Sequence, residues 1–333
     1  MRLVQLKAED VRRLAVVDEP WLRLIQGFDS VFTLAQEAIR CGRRLTTLIE
    51  EHLTRDTVEY DAIYRHGAKW KLLAPIDHPQ EPGRFLVSGT GLTHFGSARD
   101  RDAMHGSSDK QELTDSMKMF RWGVESGRPE PPLIGVAPEW FYKGNGLMMR
   151  AHGDPLVIPP YAEDGGEEAE IAAAYLVGPE GRPYRIGMTA GNEFSDHQCE
   201  KKNYLNLAAS KLRTFSLGPE LWIDPDFQSV PGKVTIVRNG REHWSQEIRT
   251  GEQEMCHSLR NLEHHHFKFA LHQRPGDMHV HFLGAHTLSF GQGVRLADGD
   301  VMEVQFEGFG RPLRNPVLVM TEADTPFEVG SLI

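Results

Sequence analysis

The sequence predicts a β-rich α+β fold, with a small N-terminal domain (residues 1–75) ahead of a larger body (76–333). Three observations predict it. Helical periodicity dominates the early chain, where Val31, Leu34, Ala38, Leu45 and Leu48 recur near a 3.6-residue period. After about residue 70 the apolar runs shorten and are punctuated by Gly, Pro, Asn and Asp, the usual mark of strands and turns. An Asn239–Gly240 pair between two strand-like runs is a strong hairpin signal.

The elements follow in order. SVFTLAQEAIRCGRRLTTLIEEHL reads as helical, with Asp29 or Ser30 as its N-cap, and the whole first segment is read as helical and small. RFLVSGTGL is a strand running into a loop, and residues 97–132 form a long polar loop suited to a lid. GGEEAEIAAAYLV is a strand, and LVGPEGRPYRIGMTAG is two strands joined by a Pro/Gly turn. KVTIVRNGREHWSQEI is the hairpin, and MCHSLRNLEHHHFKFAL is a helix. HVHFLGAHTLSF and DVMEVQFEGFG are late strands, with LADGD as the turn before the second.

Bulk properties exclude several functions. The 333 residues carry a formal charge of −10, which argues against a nucleic-acid or anionic-membrane partner. No apolar run approaches the ~20 residues of a membrane span, and the N-terminus lacks a signal-peptide core. Cys41, Cys199 and Cys256 are widely spaced, so the natural compartment is a reducing cytoplasm.

The chemistry centres on carboxylates. In a strand, Glu168 and Glu170 share a face, and two adjacent carboxylates repel unless a positive charge lies between them. Glu193, in GNEFSDH at the end of another strand, supplies a third oxygen ligand for a hard divalent cation. The competing reading is a solvated strand face. Lys211 sits in the otherwise sparsely charged SKLRTFSLGPEL; it is a snorkelling surface lysine or an acid/base beside the carboxylates. Glu139 and Lys143, among Trp140, Phe141 and Tyr142, carry the same ambiguity. His279 and His281 share a strand face at a zinc or iron spacing, a minor reading. His264–His265–His266 reads as a helix surface with one inward ring, because adjacent helical residues diverge.

The ordered motifs resemble the fumarylacetoacetate hydrolase family over roughly residues 80–318. They are PEWFYKG, EEAE with Glu168 and Glu170, GNE with Glu193, Lys211 followed by LGP, RPGDMHVHFLGAHTLSF, and LADGDVMEVQFEGFGRPLRN. The resemblance implies a mixed β-roll around a central helix, a homodimer or higher homo-oligomer, and Mg2+, with Mn2+ as the alternative. Glu193 stands where the family has an aspartate. GLTHFGSAR also departs from the hydrolase pattern, whose histidine helps activate water. Its Thr93, Ser97 and Arg99 are more similar to the 2-keto-3-deoxy-sugar-acid dehydratase branch, and the DGGEE and GNEFSDH runs resemble an arabinonate-pathway subgroup of bacterial sugar catabolism.

That branch implies Glu139 and Lys211 as the catalytic pair, with the base left open between them. It implies Ser97, Arg99, Lys143, Thr93 and His286 as contacts to a small anionic 2-oxo sugar acid. The implied reaction dehydrates a 2-keto-3-deoxypentonate to 2-oxoglutarate semialdehyde. The alternative is C–C hydrolysis of an acylpyruvate or 2,4-diketo acid, with His94 or His105 replacing the missing histidine.

Overall fold

A computed structural model of the protein describes residues 1–99 and 113–332. Among these residues the strands form two sheets. The larger contains β1 (Arg2–Ala8), β2 (Val11–Asp18), β3 (Trp21–Ile25), β4 (Leu53–Glu59), β5 (Lys71–Leu72), β6 (Phe85–Thr90), β7 (Trp140–Asn145), β8 (Met149–Arg150), β10 (Ala169–Val177), β11 (Pro183–Asn192), β12 (Phe215–Trp222) and β15 (Met278–Phe282). The smaller contains β9 (Leu156–Ile158), β13 (Val230–Arg238), β14 (Arg241–Thr250), β16 (Val301–Phe306) and β17 (Leu313–Val319). The main path of the large sheet runs β4-β3-β2-β1-β12-β11-β10-β15-β6-β7. Most pairings are antiparallel, but β15 and β6 run parallel.

Strand β10 organises both cores. All nine of its residues are buried, and alternate side chains go to opposite faces. Ala169, Ile171, Ala173, Tyr175 and Val177 meet the small sheet and Leu259, Leu262 and Phe267 of the helix Leu259–Phe267. Ala172, Ala174 and Leu176 meet the helices Val31–Cys41 and Leu45–His52 on the other side. Alanine at the strand centre lets both layers pack closely. Glu168 and Glu170 share the parity of Ala172 and Ala174, at the end of β10 where the apolar run begins.

Several expected elements are present. Ser30 is the N-cap and accepts from the Thr33 amide at 3.2 Å. Asn239 (φ 53°) and Gly240 (φ 73°) make the left-handed turn between β13 and β14.

Three readings are corrected. The first segment is not simply helical: residues 2–25 hold three strands, and β1 pairs with β12 through Arg2↔Trp222 and Leu3↔Leu221. The charged residues of VRRLAVVD mask its strand character, but Leu14 and Ala15 are fully buried. The polar stretch 97–132 contains a helix, Asp115–Ser126, capped by Thr114. Its charges line the outer face, while Met117 and Phe120 turn inward at helical spacing. In the triple histidine two rings, His265 and His266, turn inward.

Candidate active site

The end of β10 and the end of β11 lie side by side. Glu170 pairs with Gly191, Ala169 with Asn192, and the Glu193 amide donates to the Glu168 carbonyl at 2.9 Å. This continues the ladder past the strand ends and brings Glu168, Glu170 and Glu193 together. One oxygen from each lies within 4.8 Å of the other two, and all three side chains are buried. Glu167, of opposite parity, faces elsewhere. It accepts from the Ser289 amide and hydroxyl, both at 2.7 Å, and so fastens the loop after β15.

Small residues make room for the cluster. The Gly284 amide donates to Glu170 Oε2 at 2.6 Å, on backbone with φ +103° that favours glycine. A Cβ on Gly89 would lie 2.7 Å from Glu193 Oε1, and one on Gly91 would lie 2.1 Å from Glu139 Oε1.

Charge in the cluster is only partly met. Lys211 Nζ lies 2.5 Å from Glu168 Oε1 and 3.6 Å from Glu193 Oε2, above the Phe141 ring. His197 Nε2 meets Glu168 Oε1 at 3.0 Å. Burial raises all three carboxylates, but at Glu168 it is outweighed by Lys211 and His197, which hold that group below the ordinary range. Glu193 is pushed up to about 7, chiefly by burial, and Glu170 well above its usual value by burial and its two acidic neighbours. Burial also opposes the charge on Lys211, but Glu168 and Glu193 prevail and keep it an ammonium.

Glu170 Oε1 and both Glu193 carboxylate oxygens are buried with no hydrogen-bond partner. Orphaned oxygens on two of three converging carboxylates fit a hard divalent cation, which takes oxygen ligands and supplies the missing charge.

A cavity of about 780 Å³ opens onto this cluster, and Glu139, Glu168, Lys211 and Ser97 line it. Glu139 precedes β7, outside the carboxylate trio, and lies beside the Tyr204 phenol, whose pKa burial and the Glu139 charge push up. The other expected contacts lie outside the cavity lining. Thr93 is buried and donates to the Leu283 carbonyl at 2.9 Å. Lys143 is fully buried and gives its ammonium to the Phe194 carbonyl; burial brings it down to about 7. Arg99 is exposed. The His286 ring packs near His94, with centroids 6.5 Å apart, and a Cβ on Gly96 would collide with it. None of these four lines the cavity.

The structure adds residues that motif reading passed over. His197, Tyr204, Ser116, Phe290, Lys201 and Arg295 line the cavity. The GNEFSDH run already contained His197, but only the fold brings its ring to Glu168. His94 is fully buried, with Nδ1 3.0 Å from Thr93 Oγ1 and Nε2 2.8 Å from Thr250 Oγ1. His105 lies outside the described residues.

No protein-family model matches the chain, and no curated protein matches it in sequence. Solved structures do match. A hexagonal crystal form of 2-keto-3-deoxyarabinonate dehydratase superposes with a TM-score of 0.71 at 17% identity, covering 97% of this chain and 100% of that one. The 2-keto-3-deoxy-D-arabinonate dehydratase complexed with magnesium and 2,5-dioxopentanoate gives 0.69 at 17%, with the same coverage. The 5-carboxymethyl-2-hydroxymuconate delta-isomerase of Mycobacterium smegmatis gives 0.58 at 18%, again over 97% and 100%. The fold is thus the fumarylacetoacetate hydrolase-like fold that the motifs resemble, shared by dehydratases and isomerases alike.

Proposed function

We propose that the chain is a metal-dependent hydro-lyase of the fumarylacetoacetate hydrolase family. Its substrate is a 2-keto-3-deoxypentonate and its product 2-oxoglutarate semialdehyde. The observation that carries this reading is that Glu168, a member of the carboxylate trio, lines one cavity with Glu139 and Lys211, while His94 is locked between two threonines. Hydrolysis of a C–C bond needs a group that activates water, and the buried His94 faces neither the cavity nor solvent.

Glu168, Glu170 and Glu193 would hold Mg2+ or Mn2+. When bound, the cation supplies Lewis-acid polarisation of a 2-oxo acid's ketone, which acidifies the hydrogens at C3. Glu139 and Lys211 form the proton-transfer pair: one takes the C3 proton, and the other hands a proton to the departing C4 hydroxyl. Loss of water leaves a C3–C4 double bond. A hydrogen shift from C5 to C3 and ketonisation then give the C5 aldehyde. Lys201 and Arg295, on the cavity wall, favour an anionic substrate. His197 orients Glu168 through its 3.0 Å contact.

The working unit is a homodimer or higher homo-oligomer in the cytoplasm. The neighbour that binds magnesium and 2,5-dioxopentanoate supports the choice of cation and product. Among the described residues no helix is long and apolar enough to cross a membrane.

The test is incubation with Mg2+ and 2-keto-3-deoxypentonates, and separately with acylpyruvates. Semialdehyde without pyruvate is expected, abolished in Glu168→Ala. Pyruvate release from an acylpyruvate would overturn the assignment in favour of the hydrolase. Solvent-deuterium exchange at C3 separates the pair, because the variant that lacks the base loses exchange and the variant that lacks the acid keeps it.

A further inference from the structure

A second group of metal-ligating side chains lies away from the cavity. His266 is on the helix Leu259–Phe267, His272 is in the turn Ala270–Gln273 that follows, and His279 is on β15. All three rings are at most 2% exposed, and one nitrogen from each lies within 4.8 Å of the other two. His279 lies on β15, five residues before Gly284, the donor to Glu170.

The protein's own hydrogen bonds do not complete this cluster. His272 Nδ1 donates to the His266 carbonyl at 2.6 Å, so its Nε2 keeps a lone pair. His266 Nε2 faces His279 Nδ1 at 3.0 Å. His266 Nδ1 lies 3.2 Å from Ser88 Oγ and 3.3 Å from the Trp140 indole nitrogen. His281 is already satisfied, with Ser88 Oγ at 2.8 Å and Thr90 Oγ1 at 2.6 Å. If His266 Nδ1 accepts from Trp140, its Nε2–H donates to His279, and His279 Nε2–H is left without an acceptor. If His266 Nδ1 donates to Ser88, its Nε2 accepts from His279 Nδ1–H, and His279 Nε2 keeps an unused lone pair. Either arrangement leaves His279 Nε2 buried and without a partner.

We propose that His266, His272 and His279 form a binding site for a borderline divalent cation of the Zn2+ type, separate from the carboxylate cluster. Three nitrogens each ~2.1 Å from one Zn2+ lie about 3.4 Å apart in a tetrahedral array, so small ring rotations close the set. The ligands must be neutral imidazoles. In the metal-binding form His266 Nδ1–H donates to Ser88 Oγ, as the outer nitrogen of a metal-bound histidine does. An all-nitrogen set selects against Mg2+, which prefers oxygen. The ion would pin helix, turn and strand behind Trp140, the neighbour of Glu139.

The test uses the full chain, stripped by chelator, with the carboxylate site saturated by Mg2+. Zn2+ is added, and retention after gel filtration and the shift in Tm are measured. One equivalent retained by the wild type and by Glu170→Gln is expected, with affinity about 100-fold weaker in His272→Gln and His279→Asn. Co2+ in the wild-type chain should give the intense visible band of a four-coordinate site with three nitrogen ligands, a readout that needs no histidine variant to fold. No retained Zn2+ in the wild type, equal retention in the histidine variants, or only the weak band of six-coordinate Co2+ would each overturn the proposal.

Discussion

In the proposed function His94 separates dehydration from hydrolysis, and its burial makes a quantitative statement. Its ring is fully buried, both nitrogens are hydrogen-bonded to threonine hydroxyls, and burial lowers its pKa to about 3. In the unfolded chain it titrates near 6.5. Below pH 6.5 the unfolded chain therefore takes up a proton that the folded chain refuses, so stability falls as pH falls toward 3. The slope is ~1.4 kcal/mol per pH unit for one group, so between pH 6.5 and pH 5 His94 withdraws about 2 kcal/mol. That is a large share of the ~5–15 kcal/mol that a domain has.

The perturbation is His94→Gln, which keeps a polar group near Thr250 and cannot take up a proton. The assay is chemical denaturation of wild type and variant at pH 7 and pH 5, together with turnover on a 2-keto-3-deoxypentonate. Other groups titrate in both chains and cancel in the comparison. The wild type should lose about 2 kcal/mol more than the variant on acidification, and the folded variant should keep its turnover. Equal pH slopes would refute the buried-neutral assignment. Loss of turnover in a folded variant would return His94 to the chemistry and the protein to the hydrolase reading.

Two further outcomes are expected. Gly91→Ala should leave the chain folded, because the nearest atoms its new Cβ meets are the Oε1, Cδ and Cγ of one side chain, Glu139, at 2.1, 2.5 and 3.0 Å. It should lower kcat by at least ~10-fold by displacing that carboxylate, as active-site misplacements of ~1 Å do; unchanged turnover would remove Glu139 from the reaction. Glu220→Ala should cost about 2 kcal/mol in urea titrations, because the carboxylate accepts from the buried Tyr60 hydroxyl at 2.8 Å and the Arg311 amide at 3.1 Å, and pairs with Arg2 at 2.9 Å. An unmoved midpoint would show that β1–β4 do not depend on that link.

The sequence by itself determined what local patterning can encode. Period-two alternation put Glu168 and Glu170 on one face, Asn239–Gly240 made its hairpin, and Ser30 capped its helix. The order of EEAE, GNE, Lys211 and LGP pointed to the fold that the solved structures share. It also gave the residue types of a cation site, because oxygen donors for a hard ion are a matter of composition. Residues 2–25 hid from the same reading, since their charged positions break the alternation and β1 is specified by its pairing with β12.

Only the tertiary structure decided which side chains meet. Thr93 and Lys143 matched a motif, yet the fold spends them on the carbonyls of Leu283 and Phe194. His197 and Tyr204 drew no role from the sequence, yet their rings reach Glu168 and Glu139. His266, His272 and His279 converge from a helix, a turn and a strand. The physical reason is common to all of these: a backbone pattern fixes the direction of a side chain, but its partner is set by long-range packing, and burial then decides its charge.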